Sequence, residues 1–139
     1  MLDCGMRAIG WILFAGAAMA QAPSFQPVGS MSQLMINIIY PTSDAIFYVD
    51  RAAPKTEVEW IALQNQALML AESGNLLMMP GRAREPGNWV KETKMMIAAA
   101  KACYKAALAK DMAGVLAQGD ALTESCIAFH KEYRPNYGK

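Results

Sequence analysis

Four stretches of this chain carry apolar residues at steps of three and four, and each is bounded by proline, glycine or a capping side chain. That periodicity keeps one face of a helix apolar, and it constrains the fold more than any other feature. In the first stretch Met31, Leu34, Met35, Ile38 and Ile39 recur, and Ala45, Ile46, Phe47 and Val49 resume the pattern after Pro41. The spacing predicts one helix over residues 30–51, N-capped by Ser30 and kinked near Pro41, with helix–break–helix as the alternative. The second stripe is Trp60, Leu63, Ala67, Leu70, Gly74 and Leu77. It opens behind Pro54 and a Thr56/Glu59 capping box, and Pro80-Gly81 ends it near Met79. The third, Trp89, Thr93, Met96, Ala100, Cys103 and Ala107, predicts a helix over residues 88–110. The fourth is capped by Asp111 and runs to Tyr133 through Met112, Val115, Gly119, Leu122, Cys126 and either Phe129 or His130.

Four amphipathic helices on short connections predict an all-α fold, an antiparallel four-helix bundle. No stretch alternates as a strand does. Alanine and glycine recur on the third and fourth stripes, which lets those two helices approach closely. Eleven methionines give an adaptable interior, and most are expected to serve as packing. Cys103 falls on the inward face and reads as a small core residue.

The start of the chain has a different character. A short segment with Arg7 precedes an apolar run from Ala8 to Ala18, followed by Ala18-Met19-Ala20 and Ala20-Gln21-Ala22. This is the order of a secretory signal peptide, so residues 1–22 are expected to be removed after Ala20 or Ala22, leaving residues 23–139 as one domain in the periplasm. The run is short for a bilayer span, so a stable membrane anchor is not expected. The leader takes one base and one acid with it, and the remainder keeps the formal +1 of the whole 139-residue chain. Near-neutral charge excludes an electrostatic case for nucleic acid. Only Cys103 and Cys126 remain after Cys4 leaves, too few for a disulfide framework.

The chemistry concentrates in Cys126-Ile127-Ala128-Phe129-His130, which holds the only histidine. It reads as the haem attachment motif Cys-x-x-Cys-His with phenylalanine in place of the second cysteine. On a helix Cys126 and His130 stand at i and i+4 and share a face, so one thioether bond and one axial nitrogen remain available. Nothing competes with that reading. One histidine and two cysteines do not make a zinc site, and the chain has no phosphate loop, nucleophile elbow or supported carboxylate pair, so no enzyme is expected.

The whole of residues 31–135 is similar to the cytochrome c prime family, four-helix c-type cytochromes of the periplasm. The resemblance is most specific at Cys126-x-x-Phe129-His130-x-x-Tyr133-Arg134, where the family places its haem motif near the end of the last helix, with an arginine four positions after the histidine. The stretch from Trp60 to Arg82 is similar to the family's second helix. The resemblance implies haem c as cofactor, held by Cys126 through a single thioether, with His130 as proximal iron ligand. It implies Met35 as the distal ligand, with Leu34 and Met31 as its neighbours in register, and Arg134 near a propionate. Phe129 is the departure from the pattern and bears on attachment. The implied function is electron transfer with a periplasmic redox partner protein, or binding of a small gas, with a homodimer as one assembly the resemblance allows. The alternative is a haem-free four-helix bundle that acts as a structural or partner-binding module.

Overall fold

The computed structural model describes residues 24–134 and Asn136. The expected leader, residues 1–22, and its cleavage sites lie outside the described residues. Among the described residues the chain is all-helical and has no strand; its helices group into four.

Ser30 begins the first helix with a full capping box. Its hydroxyl accepts from the Gln33 N–H at 3.2 Å, and the Gln33 side chain accepts from the Ser30 N–H at 2.8 Å. The helix is α-helical over Met31–Leu34, widens to a π-helix over Met35–Ile39, and is α-helical again over Tyr40–Phe47. Pro41 explains the widening. It has no N–H to donate, and its ring crowds the carbonyl one turn back. The Tyr40 N–H instead reaches the Met35 carbonyl, five residues back. The Thr42 hydroxyl then donates to the carbonyls of Ile38 at 2.7 Å and Ile39 at 3.0 Å. The expected kink is thus met by a wide turn ahead of Pro41, and the helix passes through the proline without a break. Its expected last residues form a separate 3-10 turn, Val49–Ala52.

The second helix, Glu57–Leu77, starts on the expected Thr56/Glu59 capping box. All six residues of its predicted stripe are buried. The third, Trp89–Leu108, also buries all six of its predicted stripe. It ends on Lys110 in the left-handed region (φ 54°), which lets the Asp111 N–H reach back to the Ala106 carbonyl at 2.9 Å. The fourth helix departs from expectation by being split into Met112–Leu116 and Gly119–Tyr133. Asp111 caps the first piece through the Gly114 N–H at 3.0 Å. Two glycines within six residues, Gly114 and Gly119, make this the weakest helical stretch of the segment.

Packing runs from first to second helix, second to third, and third to fourth. The tightest approach lies between the second and third helices, where a Cβ on Gly74 would collide with the Ile97 side chain. The third and fourth helices, expected to approach closely, also pack against each other. Trp89 donates its indole N–H to the Leu77 carbonyl at 2.9 Å, which satisfies a carbonyl at the end of the second helix and pins the third to it. The main core is Leu34, Ile39, Ile46, Leu70, Leu77, Met96, Cys103 and Leu122 with small alanines between them. A second cluster of Val49, Trp60, Leu63, Ala107 and Val115 closes the far end. The space between the first helix and Gly119–Tyr133 is the part of the interior that side chains do not fill.

Candidate functional site

That space is an apolar cavity of about 180 Å³. A packed interior leaves few voids larger than one water, so its lining is informative. Cys126, Phe129 and His130 enter from the fourth helix, Glu92, Thr93 and Met96 from the third, and Met35 and Ile39 from the first. Leu77 closes it from the second. The π-helical turn carries Met35 to this wall at the point where the helix is widest.

Cys126 and His130 are both half-buried and line the same wall. Burial pushes the Cys126 thiol above its ordinary range, and a hydrogen bond with Ser125 partly offsets this. Burial also lowers the His130 imidazole, and the positive charge of Arg134 lowers it further. Both groups are therefore neutral at neutral pH. A neutral imidazole is the form that can bind a metal. Cys103 lies elsewhere: it is fully buried in the core, its thiol is pushed up to about 11, and it donates to the Val115 carbonyl at 3.9 Å.

A larger groove of about 460 Å³ adjoins the cavity and shares Met35, Tyr40, Phe129 and His130 with it. Arg84 and Arg134 are its charged lining residues, and Met31 lies at its edge. Together the two spaces fall within the roughly 300–1,000 Å³ typical of cofactor sites. Arg134 thus stands in the groove beside His130. Of the three methionine and leucine positions considered in the first helix, Met35 lines both spaces, Met31 only the groove, and Leu34 is core.

Phe129 separates the cavity from an aromatic cluster. Its ring packs against Trp89 at 4.5 Å between centroids and against Tyr133 at 5.1 Å, while Trp89 and Tyr133 meet at 4.8 Å. Phe129 is therefore a packing residue of the bundle.

Three lining residues were not legible as such in the sequence. Met96 stood on a predicted stripe and read as core. Thr93 stood on the same stripe, and Glu92 was not singled out; Glu92 is 8 % and Thr93 1 % exposed. Glu92 Oε2 and Thr93 Oγ1 have no hydrogen-bond partner. Burial, then the nearby charge of Glu132, holds the Glu92 carboxyl above its ordinary range, with Lys91 opposing. A glutamate within an otherwise apolar helical stripe is the signal that could have found this pair.

A thiol and a neutral imidazole from the fourth helix and a thioether residue from the first border one apolar space, and Arg84 and Arg134 line the groove that adjoins it. Among the described residues no three His, Cys, Asp or Glu side chains are grouped to hold a metal ion, and no helix is long and apolar enough to cross a membrane. Compared with protein-family models, with curated proteins and with solved structures, the chain matches none.

Proposed function

We propose that the chain is a periplasmic c-type haem protein, an antiparallel four-helix bundle like the cytochromes c prime, that transfers electrons or binds a small gas. The observation that carries this reading is the meeting of Cys126, His130 and Met35 from two helices around one apolar cavity. In this reading Cys126, a thiol that lines the cavity, forms the thioether, and His130, on the same wall, ligates iron. Met35 offers a thioether sulfur from the first helix. Arg84 and Arg134 offer cations to carboxylates at the groove. A haem held by these groups supplies one-electron exchange, or an open coordination position where Met35 does not bind. The apolar lining excludes water and favours a neutral His130. A periplasmic redox protein is the expected partner.

The second reading is a haem-free bundle serving as a structural or partner-binding module. Its specific support is Phe129, buried against Trp89 and Tyr133 where attachment would need a second sulfur. The periplasmic fraction of cells with a working c-type assembly system decides between the two. The haem reading expects a Soret band that survives acid–acetone extraction. A colourless protein at full yield selects the haem-free bundle.

A further inference from the structure

We propose that, in a chain that carries no haem, the cavity is a copper(I) site formed by Cys126, Met35 and Met96. Three sulfur-bearing residues from three different helices line one apolar space of about 180 Å³. Thiolate and thioether donors are the soft ligands that select Cu(I) over zinc, magnesium or calcium. An apolar enclosure adds to that preference, because it offers no water or carboxylate cluster to a harder ion. His130 lines the same space and adds a nitrogen to the set, but the sulfurs suffice for a three-coordinate Cu(I).

A second observation points to a cationic occupant. Glu92 and Thr93 are each more than nine-tenths buried, both line this cavity, and Glu92 Oε2 and Thr93 Oγ1 lack partners. An unpaired carboxyl in an apolar space is costly, and a cation entering the space lowers that cost. Binding needs no redox partner: Cu(I) enters as Cu(I), the Cys126 S–H gives up its proton to solvent, and a Cu–S bond forms.

This inference goes beyond the haem reading and does not depend on it. The test uses mature chain made without a c-type assembly system and stripped of non-covalent haem, so that no porphyrin occupies the cavity. Cu(I) is delivered anaerobically and competed with the chelator bathocuproine disulfonate, with Zn(II) as the contrasting ion. One Cu(I) per chain is expected to be retained, and no Zn(II). Met35→Leu, Met96→Leu and Cys126→Ser should each weaken retention by on the order of tenfold or more, while Cys103→Ala, away from the cavity, should leave it unchanged. The leucine variants conserve volume and keep the fold, which helical circular dichroism verifies. Failure of wild type to retain Cu(I), or equal retention by both leucine variants, would overturn the proposal and leave the haem reading standing. A wild-type chain that never acquires haem in cells would remove the haem reading and leave the copper result standing.

Discussion

The ring of Phe129 meets the ring of Trp89 edge-on at 4.5 Å between centroids, on the turn between Cys126 and His130. Trp89 in turn anchors to the Leu77 carbonyl. Phe129 is thus tied through one aromatic contact to the joint of the second and third helices. Its loss would be felt in the fold as well as in attachment.

Met35 sits on the widened turn of the first helix and lines both the cavity and the groove. If its sulfur ligates iron, Met35→Ala is expected to convert a low-spin spectrum to high-spin and open the site to carbon monoxide. Optical titration with carbon monoxide reads this directly. A spectrum that does not change moves the ligand to Met31 or leaves the position open.

The pH dependence of stability has two opposing contributors. His130 is lowered on folding from its ordinary 6.5. Its contribution is therefore present above that value and lost as pH falls through the depressed folded value. Glu92 is raised from its ordinary 4.5. Its contribution is present below that value and lost as pH rises through the raised folded value. Glu92→Gln is thus expected to gain on wild type toward neutral pH and to show no gain at about pH 4. Urea midpoints across the range check it, and a gain that is the same at every pH would remove the burial argument for Glu92.

Gly74→Ala sets two effects against each other. Alanine improves helix propensity by roughly 1 kcal/mol. The new Cβ runs into Ile97 at the closest helix pair, and overpacking of this kind costs about 1–3 kcal/mol. A net loss of stability in urea is expected; a net gain would mean that Ile97 moves aside freely.

The leader reading is tested on its own. Protein recovered from the exporting host is expected to begin at Gln21 or Pro23. An intact Met1 on that protein would contradict the periplasmic assignment.

The sequence disclosed the faces of the helices well, because helical period is local: every predicted stripe residue from Trp60 to Leu77 and from Trp89 to Ala107 is buried. Thr56, Ser30 and Asp111 cap as their types and spacing require. What it could not disclose depends on neighbours. Pro41 announced a disturbance, but only the placement of Thr42 and Tyr40 makes it a wide turn, not a break. Met96 and Met35 lie on stripes whichever way the interior is packed, and a stripe does not say whether the opposite helix fills the space before it. Glu92 and Thr93 line the cavity for the same reason.

The most direct measurement is the position of the pyridine haemochrome band of wild-type protein matured beside a working c-type assembly system. One thioether through Cys126 leaves one vinyl group unreacted, so the band should fall between those of a two-thioether c haem and a free b haem. Phe129→Cys should move it to the two-thioether position and raise haem yield, at a stability cost of about 2–4 kcal/mol from the aromatic cluster it opens. Cys126→Ala should abolish covalent attachment and leave the helices folded. Wild-type protein without haem by mass, beside a Phe129→Cys variant that carries it, would contradict the account and show that the motif does not attach haem in this chain.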